Sequence, residues 1–196
     1  MISAREVPPR STGPFSGQVC QARAVTRIRL VEREDAEVLA GLLVANRGFL
    51  GPWEPTRSAD YLAPAGQLAE IEGLLMLCLR GEAMPFVILD DAGAVAGRLT
   101  LSGIVRGSFQ SCNLGYWLAQ DQTGRGFATQ AVDEAVTYAF EQLGLHRVQA
   151  GTLLHNTASQ GVLARNGFEQ FGLAPRYLEI AGAWQDHVLF QRLNEV

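Results

Sequence analysis

Residues 122 to 131, QTGRGFATQA, place two glycines and an arginine directly before a stretch with helical apolar spacing. A glycine-rich turn that opens a helix exposes backbone N–H groups, and the helix dipole adds partial positive charge at the same point. Such a turn is suited to binding an anion. The surrounding residues must indicate which anion is bound and what chemistry it brings.

This turn differs from the two best-known phosphate-binding motifs. A P-loop requires G-x-x-x-x-G-K-[ST], and no lysine lies near these residues. A dinucleotide-binding turn requires G-x-G-x-x-G/A after the first strand of a βαβ unit, whereas Thr129 stands at the last position and the preceding strand ends a meander. A tight strand-to-helix turn without a ligand remains as the purely structural alternative.

A second polar pair follows in the segment HNTASQGVLARNGFEQFG, residues 155 to 172. Asn156 and Ser159 are three residues apart, so they share one face at the start of a predicted helix. Asn156 is suited to cap that helix, and Ser159 could be a second hydroxyl at the helix start. These structural roles are compatible with ligand binding, because one residue can perform both.

Four segments together resemble the Gcn5-related N-acetyltransferase (GNAT) superfamily. LGYWL followed by TGRGFA is similar to its acetyl-CoA loop, Q/R-x-x-G-x-G/A, in which Gly126 and Ala128 fit and Thr123 departs from Gln or Arg. HNTASQGVLARNGFEQFG resembles the N-x-x-S…L-x-x-x-G-F segment of the ribosomal-protein N-acetyltransferase branch. GPWEP (51–55) and RYLEIAGAWQDHV (176–188) resemble the RimJ/RimL-type alanine N-acetyltransferases. The resemblance spans residues 26 to 192.

The resemblance implies that acetyl-CoA is the cosubstrate and coenzyme A the product. Backbone N–H groups from Gly124 to Thr129 would hold the pyrophosphate, and Arg125 could add a charge-assisted bond. Asn156 would hold the pantetheine arm, and Ser159 would lie beside the sulfur. Strand amides would bind the carbonyl oxygen where charge develops. The predicted cofactor-binding residues are Tyr116, Trp117, Leu118, Gly124, Arg125, Gly126, Phe127, Ala128, Thr129, Asn156 and Ser159.

Two residues are predicted to be catalytic. Ser159 is the candidate general acid for the leaving sulfur, a modest role because a thiol with a pKa near ~8.5 already leaves well. Some relatives carry a glutamate before the terminal hairpin, but Leu178 occupies that position here and Glu179 faces the other side of a strand. Glu54 is therefore the candidate general base, with a structural hydrogen bond to loop amides as the alternative.

The acceptor is predicted to be a primary amine, and an N-terminal α-amine fits best. Deprotonating an α-amine with a pKa of ~8 costs only ~1.4 kcal/mol at pH 7, whereas a lysine at ~10.4 costs ~4.6 kcal/mol. A site without an obvious strong base thus favours a protein N-terminus, for example of a ribosomal protein. A small amine such as an aminoglycoside, polyamine or amino-acid analogue is the enzymatic alternative. A non-catalytic acyl-CoA sensor or ribosome-associated module is the alternative from another class.

The spacing of apolar residues alternates along the chain between helical and strand periods, and it predicts the elements that position these residues. The sequence predicts a strand over 24–32, helices over 36–48 and from Leu68 to Gly81, and a loop between these helices. It then predicts a three-strand meander, a helix over 128–144, a strand over 146–153, a short helix from Asn156 and a hairpin over 177–193. This order favours an α/β (α+β) GNAT fold, with a central mixed, mostly antiparallel sheet that is splayed and flanked by helices.

The composition of the chain limits the classes of protein to which it could belong. The 196 residues predict one domain over 24–196, preceded by a mobile leader over 1–23 that has no signal-peptide core. Net charge of −4 argues against nucleic-acid binding, and no apolar run suits a membrane span. The scattered Cys20, Cys78 and Cys112 predict reduced thiols in a cytoplasmic protein, and three scattered histidines argue against a metal site. A homodimer is left open.

Overall fold

A computed structural model describes residues 27 to 195 of the chain. The predicted leader, the start of the first predicted strand and Cys20 lie outside these residues. The strands are β1 (Ile28–Leu30), β2 (Ala83–Leu89), β3 (Val95–Val105), β4 (Ser111–Leu118), β5 (Arg147–Leu153), β6 (Glu169–Ile180) and β7 (Ala183–Leu193). The α-helices are α1 (Asp35–Ala45), α2 (Arg47–Leu50), α3 (Ala59–Leu62), α4 (Pro64–Leu79), α5 (Phe127–Glu141) and α6 (Thr157–Arg165).

The seven strands form one sheet in the order β1-β2-β3-β4-β5-β7-β6. Every neighbouring pair is antiparallel except β4 and β5, which are parallel. This arrangement confirms the predicted mixed, mostly antiparallel sheet.

Apolar side chains cover both faces of the sheet. The larger core cluster joins the sheet to α5, whose fully buried stripe includes Ala131, Ala135 and Ala139 as its spacing predicts. A smaller cluster on the other face joins Val87 of β2 to Leu39 of α1 and Ile71 of α4. The sheet is therefore held between α5 on one side and the α1–α4 pair on the other. No helix within residues 27–195 is long and apolar enough to cross a bilayer.

The segment between the first two long helices differs from the prediction. The first helix ends at Ala45 rather than at Gly48, and Asn46 is its C-cap, with non-helical φ and ψ of −105° and 12°. The Asn46 side-chain amide donates to the Leu42 carbonyl at 2.8 Å. The predicted loop contains α2, a 3₁₀ turn over Gly51–Trp53 and α3. Ser58 caps α3 by accepting a hydrogen bond from the Tyr61 N–H at 3.2 Å.

The terminal hairpin is longer than predicted. Strand β6 begins at Glu169, eight residues before the predicted start. It is an edge strand with mostly exposed side chains, so it lacks the apolar alternation by which a half-buried strand is recognised. Its pairing with β7 is also interrupted between Ala174 and Leu178, where Pro175 lies and Arg176 has a positive φ of 48°.

Candidate functional site

The turn after β4 builds the predicted anion cradle from backbone. Gly124 and Gly126 have φ angles of 74° and 85°, which suit glycine and strain other residues. Gly126 is the N-cap of α5, and no side chain within residues 27–195 caps that helix. The first N–H groups of a helix have no acceptor within it, so those of α5 are available to a ligand at the positive end of the dipole. The cradle therefore fits a pyrophosphate group.

Two arginines flank the cradle and share one carboxylate. Arg125 contacts Asp91 at 3.2 Å and Gln122 at 2.8 Å, while Arg27 contacts the other Asp91 oxygen at 3.0 Å. Both guanidinium groups lie over the Phe127 ring, at 4.6 Å and 4.5 Å from its centroid. Phe127 is only 2% exposed, so its backbone N–H, not its side chain, is the group available to a ligand.

The sheet splays open beside this cradle. Strands β4 and β5 pair only over residues 111–113 and 147–149, although β4 continues to Leu118 and β5 to Leu153. The Ala119 N–H bonds to Ala96 of β3 at 2.9 Å, and the Trp117 carbonyl lies against Gly97 of the same strand. Backbone groups alternate in direction along a strand, so those of Tyr116 and Leu118 face the opening. The Trp117 backbone faces β3 instead, while the residue lines the cleft.

Asn156 and Ser159 lie together at the start of α6, on the other side of the opening. The Asn156 side-chain oxygen accepts the Ser159 N–H at 3.1 Å, which makes Asn156 the N-cap that its residue type predicts. The Ser159 hydroxyl lies 2.8 Å from the Tyr116 hydroxyl. Burial raises the pKa of Tyr116 to about 12, although its hydrogen bond with Ser159 opposes that shift. Tyr116 therefore stays protonated and can donate to Ser159.

A cleft of about 330 Å³ passes through the opening and brings the predicted residues of β4 and α6 together with Glu54. Tyr116 and Ser159 line it from one side, while Trp53 and Glu54 line it from the loop after α2. Leu178 also lines the cleft, and its neighbour Glu179 does not, as expected for adjacent residues of a strand. The cleft thus leads from Tyr116 and Ser159 to Trp53 and Glu54, the side on which an acceptor could enter, and no cradle residue from Gly124 to Thr129 lines it.

Glu54 contributes the one carboxylate among the cleft-lining residues of the described chain. Its backbone carbonyl accepts the Ala181 N–H at 3.0 Å, which ties this loop to the β6–β7 turn. Within residues 27–195 its carboxylate accepts no hydrogen bond, so the structural alternative of a bond to loop amides is not observed there. Burial raises the pKa of Glu54 above its usual value, and the nearby Arg57 and Arg98 oppose the shift.

Two ionisable residues that line the cleft, Arg98 and His187, were not predicted from the sequence. Arg98 projects from β3 and contacts the Tyr61 hydroxyl at 3.2 Å and Glu70 at 3.7 Å, while its second terminal nitrogen has no partner within the described residues. His187 of β7 is 3% exposed and lines the cleft. Arg98 has no motif that would mark it, but His187 lies within the segment RYLEIAGAWQDHV that carries the family resemblance.

The family model described as "Acetyltransferase (GNAT) domain" matches residues 26–169. The chain belongs to the GNAT acetyltransferase family. Membership confirms the predicted enzyme class, an acetyl-CoA-dependent acyltransferase, because the match covers most of the chain.

Comparisons with individual GNAT proteins agree with this assignment. The chain is 39% identical to the [ribosomal protein uS5]-alanine N-acetyltransferase of Escherichia coli (strain K12), over 83% of this chain and 84% of that protein. It is also similar to Mycobacterium smegmatis RimJ, solved in complex with CoA-disulfide, with a TM-score of 0.82, 36% identity and coverage of 86% and 81%. The ribosomal-protein-S5-alanine acetyltransferase of Vibrio fischeri gives a TM-score of 0.81, 34% identity and coverage of 86% and 92%.

Proposed function

We propose that this GNAT enzyme transfers the acetyl group of acetyl-CoA to the N-terminal α-amine of a ribosomal protein in the cytoplasm. The observation that carries the proposal is the cleft through the splayed sheet, which joins Tyr116 and Ser159 to an acceptor side with a single lining carboxylate in the described chain. The relatives support the acceptor class, since the E. coli and V. fischeri proteins are named for acetylating alanine of a ribosomal protein.

The charge of the cleft favours this acceptor over a polyamine or an aminoglycoside. Such small amines carry several positive charges and would need several carboxylates around them. Here Glu54 lies near Arg57 and Arg98, so the local charge is not strongly negative. An α-amine brings one positive charge, which one carboxylate can balance.

Each proposed residue has one role. Bound acetyl-CoA supplies the acetyl group as an activated thioester. Gly124, Arg125, Gly126, Phe127, Ala128 and Thr129 hold its pyrophosphate, and Asn156 holds the pantetheine arm. The backbone groups of Tyr116 and Leu118, which face the opening, bind the carbonyl oxygen, and Trp117 lines the cleft between them. Ser159 gives a proton to the leaving sulfur, and Glu54 attracts the ammonium group of the acceptor and takes up its proton.

Purified protein incubated with acetyl-CoA tests the proposal on two matched peptides. One peptide carries a free N-terminal alanine and no lysine, and the other has a blocked N-terminus and one lysine. We expect rapid acetylation of the first peptide and at least ~10²-fold slower acetylation of the second, since ~3 kcal/mol separate their deprotonation costs. Equal rates on both peptides would contradict an α-amine acceptor, and no transfer to either would favour a binding module.

Mass spectrometry of ribosomal proteins identifies the acceptor itself. Cells with and without the protein are compared for loss of one acetyl group at an N-terminus. A ribosomal protein that keeps its acetyl group only when the enzyme is present is the expected substrate. Sedimentation equilibrium of the same purified enzyme decides whether it acts as a monomer or as a homodimer.

A further inference from the structure

The imidazole ring of His187 is buried on the acceptor side of the cleft, and a hydrogen bond fixes the position of one of its two nitrogens. Its Nδ1 lies 3.0 Å from the carbonyl oxygen of Gln185 on the same strand. A carbonyl oxygen only accepts, so the Nδ1 atom must carry the hydrogen in this bond. In the neutral ring, Nε2 then holds the free lone pair and is the nitrogen that can accept a proton.

The neighbours of His187 direct the ring toward the acceptor side of the sheet. Val188 and Phe190 of β7 pack against the core cluster under α5, so His187 must face the opposite side of the strand. Tyr177 of β6 meets the ring edge-on, with centroids 5.6 Å apart. On β5, Gly151 leaves bare backbone beside the ring, where a Cβ atom would lie 3.7 Å from the imidazole Cδ2. The ring thus lies in the wall of the cleft, on the side of β7 away from α5.

We propose that His187 is a second proton acceptor for the amine, in addition to Glu54. This inference rests on the proposed function. The acceptor ammonium gives one proton either to the Glu54 carboxylate or to Nε2 of His187, and the nitrogen lone pair then forms the N–C bond to the acetyl group. The C–S bond breaks, and its electron pair leaves with the sulfur, which takes a proton from Ser159. The nitrogen loses its second proton as the amide forms, which restores the proton at Ser159. The group that took the first proton, Glu54 or His187, then releases it to water.

Three other ionisable residues line the cleft together with His187. Glu54 approaches from the loop after α2, Arg98 from β3 and Tyr116 from β4. Tyr177 contacts the ring from β6, and Asp186, next to His187 on β7, accepts the backbone N–H of Arg176 instead. Among these groups, Arg98 is a permanent cation and Tyr116 holds its proton up to a pKa of about 12. Glu54 and His187 are therefore the two groups suited to accept a proton.

Chemical rescue of His187→Ala separates a proton acceptor from a packing residue. On the free N-terminal peptide, we expect His187→Ala to lower kcat/KM by ~10²-fold, at the lower end of general-base effects because Glu54 remains. Added imidazole should restore activity about tenfold. Pyrazole, a ring of the same size but far weaker basicity, should not. His146→Gln is the matched control, because His146 is exposed and does not line the cleft.

Two results would overturn a proton-accepting role for His187. His187→Ala with wild-type activity, or rescue by pyrazole as large as rescue by imidazole, would show that the ring has no proton-accepting role. If His187→Ala does not fold, His187→Gln decides in its place, and activity within threefold of the wild type overturns the inference. A failure of the proposed function looks different, since the unmodified enzyme would then transfer no acetyl group to the peptide.

Discussion

The hydroxyl groups of Tyr116 and Ser159 lie 2.8 Å apart across the opening between β4 and α6. For Ser159 to give its proton to a sulfur atom, its oxygen must accept the hydrogen bond from Tyr116 rather than donate it. Burial raises the pKa of Tyr116 to about 12, so the phenol keeps a proton that it can donate either to the Ser159 hydroxyl or to the Ser159 carbonyl, 3.4 Å away. When Tyr116 donates to the Ser159 hydroxyl, the Ser159 proton is left for the sulfur of the coenzyme.

Removing either hydroxyl should slow turnover without weakening acetyl-CoA binding. We expect Ser159→Ala and Tyr116→Phe each to lower kcat by about tenfold, below the usual range for a general acid because thiolates leave readily. The effects should not multiply in the double variant, since both changes remove one proton path. Steady-state kinetics of the four proteins check this. A double variant slowed by the product of the single effects would argue for independent roles.

Coenzyme binding should depend on the left-handed glycines of the cradle. Gly126→Ala forces an alanine to a φ of 85°, which costs about 1–2 kcal/mol and displaces the N–H groups at the start of α5. We expect a lower melting temperature and a higher KM for acetyl-CoA. Gly41→Ala is the control, because Gly41 lies in α1 with open space around it and should stabilise the helix by about 0.5–1 kcal/mol. Unchanged acetyl-CoA binding by Gly126→Ala would contradict the cradle assignment.

Asn156 should have separable structural and ligand-binding roles. Asn156→Ala removes the N-cap of α6 and should lower stability by about 1 kcal/mol while raising the KM for acetyl-CoA. Asn156→Ser keeps a capping oxygen but loses the reach of the amide. We therefore expect Asn156→Ser to raise the KM while the melting temperature stays near that of the wild type. Thermal melts and kinetics on both variants check the separation; a normal KM in both would leave Asn156 with capping alone.

Glu54 should make the stability of the enzyme depend on pH in a predictable direction. Burial raises the pKa of Glu54 in the folded state, so folding favours the protonated carboxyl group. The stability that the protonated group contributes is present at low pH and is lost as the pH rises through the folded-state pKa. Glu54→Gln should thus raise the melting temperature at pH 7 and lose this advantage below the unfolded pKa of ~4.3. The same variant should lower kcat/KM for the peptide. Glu72→Gln, at an exposed surface pair with Arg33, serves as the control.

Much of the fold followed from the sequence because the relevant signals are local. The α5 stripe of Ala131, Ala135 and Ala139 and the glycine turn before it predict the helix and its cradle at the observed place. The short helices α2 and α3 did not follow, because four residues carry too little periodicity to be recognised. The start of β6 did not follow either, because this edge strand owes its form to pairing with β7.

The sequence predicted the site residues that belong to a motif. It did not predict the residues that come together only because strands distant in sequence are neighbours in the sheet. Asn156 and Ser159 lie on one helix face, as their spacing predicts. The contact of Ser159 with Tyr116 joins residues 43 positions apart, so spacing alone could not predict it. Arg98 and His187 reach the cleft from β3 and β7, and only the strand order brings them beside Glu54.

The three residue pairs between β4 and β5 have a mechanical consequence. They are the only strand pairing in the described chain that joins β1–β4 to β5–β7, so the sheet consists of two halves with a narrow seam. A ligand that spans the opening forms hydrogen bonds with both halves and links them across this seam. Saturating ligand at about 100 times its Kd would stabilise the folded chain by about 2.7 kcal/mol. The slowing of amide hydrogen exchange should therefore be greatest at the seam, far from the outer strands, when coenzyme A is added.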